Sequence, residues 1–235
     1  MSETMTSLYQ TFINSPFFGL SLSIFTFQLG LALNRRWRHP LTHPLLVSII
    51  LCCLFLGLTG IPYEAYYKGG SIIAAFLGPA TAVLAVSMYE QLETLKKNIL
   101  PIVVGTLVGS VTAIGSIIVM GRLFNLDYQL ILSLIPKSVT TPIGLSLSEA
   151  LGGIQSITVA AIIITGNFGA IICPTLIKLF RVKNPVAAGL AIGTCSHVTG
   201  TTKAIELGEV EGAISGLAIG CAGITTVLWC AVLPL

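Results

Sequence analysis

Lys137 stands in the stretch Ile135-Pro136-Lys137-Ser138-Val139-Thr140-Thr141-Pro142-Ile143, with apolar runs on both sides at residues 130–134 and 143–147. A lysine at the centre of a membrane-spanning helix costs about 2.5–3.5 kcal/mol on insertion scales. Pro136 and Pro142 break the backbone ladder around it. Broken backbone at membrane depth survives only where it is buried in protein or lines a cavity. The stretch therefore predicts a polar site inside a membrane protein. Lys137 would supply a fixed positive charge for an anionic substrate, and Ser138, Thr140 and Thr141 would supply orienting hydroxyls. N–H groups at adjoining half-helix N-termini favour the same negative charge. The competing reading is a lysine that snorkels to the interface. It loses ground if the segment turns back with Lys137 near its tip.

A second polar constellation runs over Gly193-Thr194-Cys195-Ser196-His197-Val198-Thr199-Gly200-Thr201-Thr202-Lys203. His197 is the one histidine deep in an apolar context. Its titration range suits proton coupling, and a neutral, hydrogen-bonded structural imidazole fits equally. Gly193 and Gly200 flank it and allow bends or close approach. Thr201 is a candidate substrate ligand, and with Ser196, Thr199 and Thr202 it either lines a path or satisfies helix backbone. Glu206 lies three residues past Lys203, so the two could pair on one helical face; with His197 it is a candidate for coupling. Gly78-Pro79, followed by Ala80 and Thr81, reads as a third break. Glu149 and Glu209 suit solvated loops, and His39 and His43 suit an interface.

Other chemistries find little support. The six cysteines lie in apolar segments without a Cys-x-x-Cys pair and read as small buried hydrophobes. With only three histidines, no metal site is expected. No hydrolase elbow, nucleotide loop or zinc signature stands out. Ser138 or Ser196 with His197 offers no specific nucleophile–base spacing, so neither an enzyme nor a cofactor is expected.

The elements that must position these groups are apolar helices. The chain has 235 residues, 54% hydrophobic and 9% charged, where a soluble domain carries roughly 25% charged residues. Mean hydropathy is +0.93. This composition predicts one all-α polytopic domain over residues 1–235, with about 7–8 transmembrane segments, some discontinuous or re-entrant. The net charge of +3 is small and its basic residues cluster between apolar runs. That is the positive-inside pattern, not a nucleic-acid face. The polar N-terminus lacks a basic n-region, so no cleaved signal peptide is expected.

Apolar segments fall at residues 16–33, 44–58, 71–89 (interrupted at Gly78-Pro79), 99–120, 126–151, 154–179, 186–205 (interrupted over 193–202) and 213–232, with a polar loop at 90–97. Arg35, Arg36 and Arg38 share a side with Lys96-Lys97 if the two intervening segments cross. If 126–151 crosses, the cluster at Lys178, Arg181 and Lys183 falls outside. If it enters and returns, all three clusters lie inside and the N-terminus is extracytoplasmic; this re-entrant reading is favoured. A weak internal repeat places Gly78, Pro136 and Gly193 near 58 residues apart, as in transporters whose discontinuous helices meet at the midplane.

At these motifs the chain resembles the LrgB/CidB family, including the C-terminal membrane half of plastid glycolate/glycerate translocators. The resemblance is carried by Pro136 through Ile143, by His197 through Glu206 and by Glu211-Gly212-Ala213. His43-Pro44-Leu45-Leu46-Val47 and Leu77-Gly78-Pro79-Ala80-Thr81 add to it, and the similarity runs over nearly the whole chain. It implies a multi-pass protein of the bacterial inner membrane. Some relatives are described as holin/antiholin-like modulators of murein hydrolase export and lysis. Others look like transporters of small carboxylates such as pyruvate, glycolate or glycerate, often working with a small LrgA/CidA-type membrane partner. The residues themselves favour a secondary transporter of small monocarboxylates, with Lys137 on the carboxylate, His197 in coupling and a homo-oligomer, a dimer, as the expected assembly. The lysis regulator is the alternative.

Overall fold

The computed structural model describes residues 11–37, 42 and 44–232, apart from the side chains at 80, 81, 84, 85, 87 and 88. Arg38, His39 and His43 of the basic stretch lie outside the described residues. Every regular element among the described residues is helical. The chain forms two compact units, Met1–Ala80 and Thr81–Leu235.

In the first unit, α1 (Pro16–Trp37) packs against α2 (Pro44–Thr59) and α3 (Tyr63–Ala74). A polar seam joins them: Thr26 Oγ1 lies 3.0 Å from Ser48 Oγ, and Ser23 Oγ lies 2.9 Å from Tyr66 OH. Hydrogen bonds between helices hold where lipid offers no competing partner. Around the seam Ile13, Phe18, Ile61 and Ala65 form the apolar core. The expected break at Gly78-Pro79 falls just ahead of them, because Ala75-Phe76 form the turn. Gly78 and Pro79 instead open α4 (Leu77–Glu90), where a missing proline N–H wastes no hydrogen bond.

The expected loop at 90–97 is also helical. It contains α5 (Leu92–Lys97), with Glu93 in its first turn and Lys96 and Lys97 in its last, each charge matched to the helix dipole. Then come α6 (Ile99–Leu123) and α7 (Tyr128–Leu134), which Asp127 caps by accepting from the Gln129 N–H at 2.9 Å. A 3-10 turn over Ile135–Ser138 follows, then α8 (Thr141–Leu151), α9 (Gln155–Leu179), α10 (Pro185–Leu207) and α11 (Glu209–Val232).

The segment from α7 to α8 doubles back. Gln129 Nε2 donates to the Gly152 carbonyl at 3.2 Å, and Thr158 Oγ1 donates to both the Ser133 carbonyl at 2.8 Å and Ser148 Oγ at 2.7 Å. Ser133 Oγ in turn accepts from the Ile154 N–H at 2.7 Å. Ser133, Ser148 and Thr158 are fully buried. This knot ties the open end of a helical hairpin, leaving residues 135–140 at its tip. Gly152, at φ +76°, ends α8 in a left-handed turn that a side chain would disfavour.

Elsewhere in the second unit, α10 and α11 pack most closely. A Cβ added at Gly193 would stand 2.3 Å from the Ser215 carbonyl oxygen, so only glycine allows this approach. Four described helices, α1, α6, α9 and α11, are long and apolar enough to cross a membrane. The expected count of about 7–8 segments is not reached by this measure, for physical reasons. Helix α2 is short, α7 and α8 are shorter still, and Ser, Thr, His, Lys and Glu dilute the apolar run of α10.

Candidate functional site

The hairpin tip packs against α6, α9 and α10. Pro136 sits within the 3-10 turn at φ −83° and ψ 19°, off helical geometry. Val139 and Thr140 are then extended, and Pro142 falls in the first turn of α8. The two prolines thus play different parts: Pro136 lies in the break, while Pro142 helps start the returning helix.

Lys137 is half-buried at this tip, and its ammonium donates to Ser138 Oγ at 3.2 Å. Among the described residues the one ion pair is Lys203–Glu206, so no carboxylate pairs with Lys137. Its charge lies within electrostatic reach of the Cys195 thiol on α10. Thr140 is 4% exposed, and its hydroxyl is buried without a hydrogen-bond partner among the described residues. Thr141 begins α8 and is half-buried. A half-buried cation without an ion-pair partner and a buried, unsatisfied hydroxyl each carry a cost unless something else pairs with them.

The second break is His197 itself, at φ 41° and ψ −139° inside α10. Gly193 and Gly200 do not carry it. Gly193 meets α11, and Gly200 packs beneath the Ser196 side chain. A glycine permits both bending and contact, and here contact uses the missing Cβ. The His197 ring is buried, and its Nε2 lies 2.9 Å from the Ile162 carbonyl oxygen on α9. Space for the ring exists because α9 has Gly166 there: an added Cβ would stand 2.5 Å from His197 Cε1. At Gly169 it would stand 1.8 Å from Ser196 Oγ.

Ile162 links the two breaks. Its carbonyl receives His197, while its side chain fills the space beside Gly144, next to Pro136 and Val139 of the tip. The other candidates are not gathered here. Thr201 donates to the His197 carbonyl at 3.0 Å and meets Ser215 Oγ on α11 at 2.7 Å. Glu206 is exposed in its ion pair with Lys203. Nine helical residues carry it about 13 Å along the axis from His197.

Asn167 escaped the sequence reading. It is 6% exposed, gives Nδ2 to the Ile163 carbonyl at 2.9 Å and leaves Oδ1 buried without a partner among the described residues. An amide in the middle of the apolar stretch 154–179, well inside Gln155 at its start, was the signal available for it. Thr194, on α10, has a similarly unpartnered buried hydroxyl. Around the two backbone breaks, then, Lys137 has no carboxylate partner, and Thr140 Oγ1, Asn167 Oδ1 and Thr194 Oγ1 are buried without a hydrogen-bond partner among the described residues.

The LrgB-like family matches residues 23–235. The chain is also similar to the antiholin-like protein LrgB of Bacillus subtilis (strain 168), 36% identical over 215 residues that cover 91% of this chain and 93% of the relative. No solved structure matches it. With apolar helices long enough to cross a membrane and a match running through both breaks, this membrane protein belongs to the LrgB-like family.

Proposed function

We propose that this chain is an antiholin-like regulator that restrains murein hydrolase export and cell lysis. Similarity to the B. subtilis antiholin-like protein along nearly the full length of both chains carries this reading. The test is expression in a bacterium lacking its own LrgB-like gene. Slower autolysis and less released murein hydrolase activity are expected; lysis kinetics that do not change would reject it.

A second reading rests on a different observation, the unpaired Lys137 cation beside the unsatisfied Thr140 hydroxyl. In it the chain is a secondary transporter of small monocarboxylates of the pyruvate, glycolate or glycerate kind. Lys137 holds the carboxylate, Ser138, Thr140 and Thr141 orient it, and His197 takes part in proton coupling. Proteoliposomes separate the two readings. Saturable carboxylate uptake that Lys137→Ala abolishes supports transport, and dye leakage independent of solute size opposes it.

The same proposal includes a multi-pass protein of the bacterial inner membrane, a homodimer, and a small LrgA/CidA-type membrane partner. The α7–α8 hairpin would be re-entrant. Its arms are about 10 and 16 Å long at 1.5 Å per residue, against a hydrocarbon core of about 30 Å. Their doubled-back hydrogen bonds bring both ends to one side. Labelling of single cysteines at residues 127 and 153 tests this: reagent access from the same face supports it.

A further inference from the structure

We infer that the groove beside α7 is a binding site for an anionic phospholipid, with the phosphodiester at Arg122 and an acyl chain running down toward the hairpin tip. The cavity is about 610 Å3, within the usual range for small-molecule sites. Arg122, Asn125 and Tyr128 line one part of it, and Ile118, Ile131 and Ile135 supply apolar wall.

Depth distinguishes the two ends. Helix α6 is 25 residues long, or about 37 Å, so Arg122 near its C-terminus reaches past a 30 Å core to headgroup level. Tyr128 suits the same depth. Ile135 begins the 3-10 turn, one arm-length of α7 deeper, and is almost fully buried. The groove runs along α7 itself, from Tyr128 to Ile135, beside Ile118 and Arg122 of α6.

Charge selects the occupant. The Arg122 guanidinium makes no ion pair and no hydrogen bond among the described residues; its backbone carbonyl is engaged by the Asn125 N–H. The nearby Asp127 carboxylate is turned to the Gln129 N–H. A free guanidinium at headgroup level above an apolar channel complements a phosphodiester joined to an acyl chain. A soluble phosphate would use the rim and leave the channel unfilled. The site is independent of either functional reading above.

The test uses the full chain in nanodiscs of phosphatidylcholine, with or without phosphatidylglycerol, and counts retained lipid by native mass spectrometry. Phosphatidylglycerol should be retained preferentially. Arg122→Gln should lose about fivefold of that preference, as expected for one interfacial cation, with its melting temperature in phosphatidylcholine unchanged. Ile118→Trp, which fills the channel, should lower retention of both lipids. Equal retention of the two lipids by the unaltered protein, or full preference in Arg122→Gln, would overturn the site. So would inorganic phosphate that matches the stabilisation by phosphatidylglycerol, or a second copy that cross-links through Tyr128→Cys and excludes lipid.

Discussion

The His197 imidazole donates its Nε2–H to the Ile162 carbonyl at 2.9 Å, across the interface of α9 and α10. A carbonyl only accepts, so Nε2 carries the proton and Nδ1 is the position left for a second one. The bond also helps hold a backbone conformation that costs about 1–3 kcal/mol for a residue with a side chain. His197→Ala should lower the melting temperature more than His197→Gln, which keeps an N–H donor; the difference should be about 2–4 °C per kcal/mol lost. Equal melting temperatures would show that the bond contributes no stability. If His197 couples protons, His197→Gln should also flatten the pH dependence of uptake.

Gly169→Ala should separate α9 from α10, since its new methyl would overlap Ser196 Oγ. Overpacking of this kind costs about 1–3 kcal/mol. Gly115→Ala is the matched control: nothing lies within 4 Å of its added Cβ, and alanine suits a helix better than glycine. Thermal melts in detergent should show the first destabilised and the second unchanged or slightly stabilised.

Lys137→Met keeps the length of the side chain and removes a half-buried charge that has no ion-pair partner among the described residues. The fold should be at least as stable, as judged by thermal melting, while carboxylate uptake is lost in the transport reading. A variant that melts well below the parent would make Lys137 a structural residue.

Ser133→Ala deletes the acceptor for the Ile154 N–H. Leaving that half-buried donor unmet costs up to about 1–3 kcal/mol. Hydrogen exchange at Ile154 should accelerate at least tenfold. Exchange unchanged from the parent would mean that the knot does not hold the hairpin closed.

Much of the helical layout is legible from residue types. The stretches 99–120, 154–179 and 213–232 lie close to α6, α9 and α11, because continuous apolar runs with basic or glycine-rich ends leave few alternatives. Lys137 is legible as an oddity for the same reason: its cost is intrinsic to the segment. Docking partners are less accessible. Nothing in the residue type of Ile162 announces that its carbonyl receives His197, and serines such as Ser133 and Ser148 occur in many membrane helices without forming a knot. Gly193 and Gly200 fit bends and close approach equally from the sequence, because a missing side chain serves both; only the position of α11 and of Ser196 decides between them.

The knot at Thr158 also orders events during synthesis. Ser133 and Ser148 emerge from the ribosome before Thr158, so the hairpin cannot be fastened until α9 begins to appear. Ile162, which supports the tip, comes later still, and His197 completes the junction only once α10 is made. A nascent chain halted near residue 153 would present a lysine and two prolines with α6 alone, of the three helices that pack on the tip, in place. Its α7–α8 segment should be a preferred target for membrane quality-control proteases, whereas the same residues in the finished chain are sheltered.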